Sequence, residues 1–331
     1  MAGGYLDSYV QIQREVTWGT AVTTGMFKIP TLTWDVNPSY DLYQSQMVTG
    51  AAGAPAPAFG VKRVGGRWTL EAGYSGLDHI MLGVLGTGSN PSGTAPFLNR
   101  YTPAASLPSF TVHASYGDLP TGKVVQFEGC KFNSVELSFD AAQGFMNVAV
   151  DVIAQEAEHT TTTGVTAGTV AATGAIVHDP INVTPSAYVT TQDIGIGASA
   201  AYCLRSGTIK IERNLSANRI CIGSDLIKEP VCTQPMRVSG TFNVEWLDLA
   251  VLNALTQKTV HTSTQLKWDG GTNSIDFVWP KLVYTSISTP IQQGDALVSS
   301  VGWIAYGSAG TGATSEPMNV TIETPIDYDV L

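Results

Sequence analysis

Residues able to do chemistry are present, but their spacing does not assemble them. The five histidines, His79, His113, His159, His178 and His261, fall on separate expected elements, and none has the i, i+4 partner of a metal-binding helix. Cys130, Cys203, Cys221 and Cys232 are spaced by 73, 18 and 11 residues, which matches no C-x-x-C metal or redox pattern. They are expected to be reduced, core-type thiols. Gly73-Tyr-Ser-Gly76 lacks the second spacing glycine of a nucleophile elbow, and Ser75 reads better as a helix cap. Gly195-Ile-Gly-Ala-Ser-Ala200 matches a loose dinucleotide fingerprint, yet a strand follows it, so no helix N-terminus would receive a pyrophosphate. Asp269-Gly270-Gly271, between Trp268 and Ile275, is a hairpin turn before it is a calcium loop. No carboxylate pair can be assigned to acid–base work. The expectation is a protein that is not an enzyme and needs no cofactor or metal.

Composition points the same way. Of 331 residues, 44% are apolar, enough for a packed core, whereas only 13% are charged, about half the usual share. A monomer so poor in charge would expose much uncharged surface, which a subunit of a large assembly hides against its neighbours. The net charge is −10. There are 8 basic and 14 acidic residues before position 181 and 9 and 13 after it, so neither half is a cationic grip for nucleic acid. Met1 to Arg14 has no apolar signal core and no run of about 18 apolar residues occurs, so a soluble protein made in a cytoplasm is expected, with no membrane partner.

The elements that would position these residues are mostly strands. Leu32, Trp34 and Val36 alternate with polar neighbours, as do Trp68, Leu70 and Ala72, then Phe110, Val112 and Ala114, then Val135, Leu137 and Phe139. One segment has helical period: Leu77, Ile80, Met81, Val84 and Leu85 form one stripe. Ser75 is the expected N-cap, Asp78 stands in the first turn where the dipole favours a carboxylate, and Gly86 is the stop. The fold class is therefore mainly β, with a short amphipathic helix lying across a sheet.

The second half repeats this plan. Val64-Gly-Gly-Arg-Trp-Thr-Leu-Glu71 aligns with Val238-Ser-Gly-Thr-Phe-Asn-Val-Glu245, and a short helix with Leu247, Val251, Leu252 and Leu255 should follow the latter, with Asp248 near its start. Residues 127 to 155 align with 277 to 305 at an offset of 150, matching Phe127 with Phe277, Lys131 with Lys281 and Gly144 with Gly294. Leu32 to Val36 aligns with Thr208 to Glu212. Two tandem β-sandwich or barrel units, each flanked by one short α-helix, are expected over residues 1–159 and 182–331, with a linker at 160–181. Met318 to Thr324 alternates as a last strand. Each unit also carries a long loop, about Pro38 to Gly60 and about Arg219 to Pro235, expected either to meet a neighbouring subunit or to fold back on its own sheet. Tyr40, Tyr43, Met47, Arg219 and Lys228 are the candidate assembly contacts in them.

Three stretches carry a resemblance. Arg14-Glu-Val-Thr-Trp-Gly-Thr-Ala21, Gly65-Gly66 running into Trp68-Thr-Leu-Glu71 and a helix ending in Leu85-Gly86, and Phe127-Glu-Gly-Cys-Lys-Phe-Asn-Ser134 followed by Ala149-Val-Asp-Val-Ile153 resemble the tail tube (major tail) proteins of long, non-contractile-tailed bacteriophages. Val238 to Trp246 is similar to the same family again, so the likeness runs from about residue 5 to 325. That resemblance implies a virion tail protein, assembled in the bacterial host cytoplasm, whose folds each give four strands to a continuous inner barrel. Six folds make a ring, and stacked rings make the conduit for DNA ejection. Two folds per chain would make the ring a trimer with pseudo-sixfold symmetry; true hexamers are the rival. Implied partners are other copies of the chain, tape-measure, tail-terminator and tail-tip proteins, and passing genomic DNA without specific binding. DNA carries roughly one negative charge per 1.7 Å of axis, so a neutral-to-acidic bore is expected, with Glu71, Glu136 and Glu245 as lining candidates. The alternative is a two-domain β-sandwich adhesin or carbohydrate-binding module, with Trp246, Trp279 and Trp303 as its sugar platform.

Overall fold

The computed structural model describes residues 8–45, 56–116, 124–159, 180–183, 189–193, 204–245, 253, 256–271, 273–289, 298–307, 316–325 and 327. The chain is mainly β, as alternation requires. Its first part contains β1 (Tyr9–Arg14), β2 (Phe27–Ile29), β3 (Thr33–Tyr43), β4 (Ala58–Glu71), α1 (Tyr74–Leu85), β5 (Gly86–Ser89), β6 (Phe97–Pro103), β7 (Phe110–Ser115), β8 (Val125–Asp140), β9 (Asn147–Ala154) and β10 (Glu156–His159). Then come β11 (Val189–Asp193), β12 (Leu204–Glu212), β13 (Leu215–Ser216), β14 (Val231–Cys232), β15 (Arg237–Glu245), β16 (Val260–Asp269), β17 (Ser274–Ser288), β18 (Val298–Ala305) and β19 (Asn319–Thr324). The last matches the strand expected from Met318 to Thr324.

Eight of these strands form one antiparallel sheet in the order β3–β4–β9–β8–β12–β15–β18–β17. The two longest members of the order bend out of it. The N-terminal half of β8 pairs with β7 and β10, and β1 and β2 follow beyond β7. The N-terminal half of β17 pairs with β16 and β19, and β6 with β5 follows beyond β19. These flanking strands cover the apolar face of the eight-stranded sheet, so the core is an aromatic layer between them. Trp34 of β3 meets Phe127 of β8 edge-on at 5.2 Å, and Trp303 of β18 meets Trp279 of β17 at 5.1 Å. β6 belongs to the first half but pairs with β19 of the second. Residues 180–183 likewise join the first half: Ile181 is buried, its N–H donates to the Ala72 carbonyl at 2.8 Å, and its carbonyl accepts from Met146.

The helix forms where its period placed it, but its surroundings differ from the expectation. All twelve residues of α1 are buried, not one stripe, because β5, β6, β8 and β19 enclose it. The N-cap is Gly73, with extended backbone and no side-chain cap; Ser75 lies inside the first turn, its hydroxyl 3.4 Å from that of Thr324. Gly86 does end the helix, at φ 102°, with its N–H bonded to the Leu82 carbonyl. Asp78 is no dipole-stabilised carboxylate. It is fully buried, accepting from the Tyr101 hydroxyl at 2.6 Å and from the Asn99 amide at 3.4 Å. The second expected helix lies mostly outside the described residues, as do Leu247, Asp248, Val251, Leu252 and Leu255; Asn253 and Thr256 are helical, with Gln257 N–H bonded to the Asn253 carbonyl. The linker from Thr160 to Ala175 is outside them as well.

Burial sets a pH dependence at α1. Desolvation pushes the Asp78 carboxyl from 3.8 to about 8, against the opposing hydrogen bonds from Tyr101 and Asn99. Desolvation also pushes the neighbouring His79 imidazole from 6.5 down to about 3. Asp78 favours folding fully below pH 3.8 and loses that contribution as pH rises to 8, whereas His79 loses its contribution as pH falls from 6.5 to 3. The two slopes cancel between about pH 4 and 6.5. Above that, Asp78 dominates, and stability should fall by about 1 kcal/mol on reaching pH 8. Urea unfolding at pH 6.5 and 8 checks this: Asp78→Asn should abolish the fall, and an unchanged slope in that variant refutes the assignment.

Candidate functional site

The face of the eight-stranded sheet turned away from the flanking strands is mostly polar, with Ile153, Val298 and Ile304 towards the strand ends. Alternation dictates this, since each strand buries Val, Leu, Ile, Trp or Phe at one parity. Register brings the other parity into rows that cross both halves of the chain. Asp35, Arg67, Asp151, Ser134, Glu212 and Arg237 stand opposite one another across six strands. A second row runs Thr33, Thr69, Ala149, Glu136, Lys210 and Ser239. A third runs Glu71, Asn147, Ser138, Thr208, Thr241, Gly302 and Ser286.

The charges on this face are paired but unbalanced. Arg67 Nη2 lies 3.3 Å from Glu136 Oε2, Lys210 Nζ 2.7 Å from Glu212 Oε1, and Arg205 Nη2 2.6 Å from Glu245 Oε1. The bond to Glu212 raises the Lys210 pKa, so this ammonium stays charged. Asp35, Glu71, Asp140 and Asp151 add carboxylates, and the face is acidic on balance. Half-exposed pairs of this kind each contribute at most about 1 kcal/mol, so the rows set the sign of the surface more than its stability. Hydroxyl and amide contacts fill the gaps, such as Thr208 with Thr241 at 2.9 Å and Asn243 to Ser206 at 2.8 Å.

All three expected lining residues stand on this face. Glu71 is opposite Asn147, Glu136 is opposite both Ala149 and Lys210, and Glu245 is opposite Val298. Asp35, Asp151, Glu212, Arg67 and Lys210 escaped sequence reasoning, although their signal was the same polar parity beside buried aliphatic residues.

The loop candidates are not brought together. Strands occupy part of the expected Pro38 to Gly60 loop: β3 continues to Tyr43 and β4 starts at Ala58, forming a hairpin with a bulge between Tyr40 and Leu42. The alternation that built these strands continues past the loop boundary. Tyr40 and Tyr43 are exposed on the hairpin, Tyr40 edge-on to Phe59 at 5.9 Å; Met47 lies outside the described residues. Arg219 and Lys228 sit in the loop between β12 and β15, which folds onto the first half of the chain. Arg219 Nη1 donates to the Glu229 carbonyl at 2.6 Å and Lys228 N–H to the Arg219 carbonyl. Lys62 N–H donates to the Asp225 carbonyl at 2.8 Å, and the nearly buried Lys131 ammonium meets Glu229 at 2.6 Å.

The sheet ends on two strands with open edges among the described residues. β3 pairs with β4 alone, and the β17 segment Ser286 to Ser288 pairs with β18 alone, with Thr285, Ser286 and Ser288 exposed. The comparable part of β8, Ser134 to Asp140, has partners on both sides, β9 and β12. Open edges are templates for another strand.

Among the described residues no convergent chemistry competes with this surface. Burial keeps His79 and His113 neutral, and among the described residues no cluster of His, Cys, Asp and Glu could hold a metal ion. Trp279 and Trp303 are buried and form no sugar platform; Trp246 is outside the described residues. Among those residues no helix is long and apolar enough to cross a membrane. A family described as phage tail tube protein matches residues 6–323. No curated protein matches the chain.

Proposed function

Because the chain belongs to the phage tail tube protein family and is a structural protein of the virion tail, we propose that it closes edge to edge with two further copies into a ring, each chain contributing its eight strands. The observation that carries this is the joint inside the chain. β8 ends one four-stranded block, β3–β4–β9–β8, and β12 begins the next, β12–β15–β18–β17, with Ser134 facing Glu212 and Glu136 facing Lys210. The blocks correspond in strand order and in bulges, between Phe132 and Ser134 in one and Tyr284 and Ser286 in the other. We read them as two copies of one unit, residues 1–159 and 182–331, with Asn182 and Val183 reaching back to Phe145 and Gly144 of the first. β17 of one chain then meets β3 of the next as β8 meets β12, which closes both open edges of the eight-stranded sheet.

Transferring the register places Ser39 opposite Ser286 and Asn37 opposite Ser288 across that joint. The polar face becomes the bore, with Glu71, Glu136 and Glu245 in its lining, and its acidic balance lets DNA slide where a cationic lining would hold it. Rings stacked in this way form a tube for DNA ejection, assembled in the host cytoplasm and met at its ends and interior by tail-terminator, tail-tip and tape-measure proteins. Its work is structural, without catalysis.

Cysteines at both Ser39 and Ser286 provide the test. Oxidised assemblies should give a ladder of covalent species ending at three chains on a non-reducing gel. A ladder ending at six means hexameric rings and sinks the trimer; assembled protein without interchain cross-links sinks the joint.

A further inference from the structure

An open groove of about 780 Å³ lies at the end of β15 and β18, lined by Met236, Ile304 and Tyr306 with Arg237 and Glu316 beside them. At the corresponding end of β3 and β4 the hairpin carries Tyr40, Leu42 and Phe59 on one side, exposed by 50, 59 and 74%. Such a cluster is costly to leave in water.

The chain contains a precedent for covering it. The loop between β12 and β15 leaves the second block where the hairpin leaves the first, and it crosses to the block next door. There it bonds Lys62 through the Asp225 carbonyl, bridges Lys62 at Leu226, and buries Ile227 to 2% beside Gly65 and Ile153. Val64 opposes Ala154 in the first block as Val238 opposes Ala305 in the second. Counting from those pairs, Lys62 corresponds to Met236, Arg63 to Arg237 and Ile153 to Ile304. The groove is the second block's counterpart of the ground that the loop covers on the first.

We propose that the β3–β4 hairpin of a second copy of this chain docks in this groove, apolar side down, and locks each edge-to-edge joint. The inference rests on the ring reading above. Placing p-benzoylphenylalanine at position 59 of assembled protein, with one isotope-labelled population, should photocross-link to residues 235–237 or 304–306 of a different chain. Tyr306→Glu should raise the concentration needed for assembly at least about tenfold, with monomer melting unchanged, and adding Phe59→Arg should recover part of it. Cross-links confined to other surfaces, or normal assembly of Tyr306→Glu, overturn the docking while the Ser39–Ser286 lock still forms. Loss of that lock in the otherwise unaltered chain overturns the ring instead.

Discussion

Trp303→Ala should lower the unfolding free energy by about 3–5 kcal/mol, the usual cost of emptying a fully packed indole site. Trp303 is 1% exposed, stacked on Phe242 at 5.1 Å and edge-on to Trp279 at the same distance. Through Trp279, Phe277 and Trp268 the cluster reaches Phe139 of β8, so it ties the flanking strands of the second block to the first. With folds of this size stable by about 5–15 kcal/mol, the variant should also assemble poorly. Urea unfolding measures the loss, and a change under about 1 kcal/mol would mean that the two layers are not packed as described.

The second large effect concerns two glycines. A Cβ on Gly66 would lie 1.9 Å from the Asp35 carbonyl oxygen, and one on Gly240 would lie 2.0 Å from that of Thr208. In each case the obstacle is backbone of the adjacent strand, which cannot rotate away, so β3 must part from β4 or β12 from β15. Gly66→Ala and Gly240→Ala should each cost about 2–3 kcal/mol. Four strand spacings of roughly 4.8 Å separate β4 from β15, so the double variant should show the sum within about 0.5 kcal/mol. Equal costs at the two sites support the two-copy reading; a negligible cost at one of them argues that the blocks differ there.

Much of the architecture was legible because side-chain alternation reports burial directly. Trp68 and Leu70 are buried while Thr69 and Glu71 face outward, and Glu136 and Glu245 follow the same rule. The helix was legible from its period and from Gly86. Its interior was not: Ser75 and Asp78 have the residue types of a helix start, but tertiary enclosure took both for buried contacts.

Alignment of the halves shows where pattern loses its grip. On the two-copy reading the offset of 150 becomes 151 at Ala154 and Ala305, a slip of one that exchanges faces, and 152 at the β8 and β17 bulges. A slip of two preserves every face, so alternation cannot detect it. Matching Leu32–Val36 to Thr208–Glu212 is a slip of three, which exchanges faces; strand pairing sets Val36 beside Gly66 and Ile209 beside Gly240. The acidic face was found only in part for a related reason. Its three named glutamates were visible one strand at a time, whereas the rows joining Asp35 to Arg237 exist only after register is set.

By itself, then, the sequence determined which side of each strand would be dry and how little charge the chain would carry. Only the tertiary structure decided that β8 meets β12, that β6 crosses to β19, and that β3 and the end of β17 each keep one open edge among the described residues. The reason lies in the bond that joins strands. Faces are written in side chains, which differ from residue to residue, whereas edges are joined by backbone N–H and C=O groups that nearly every residue shares.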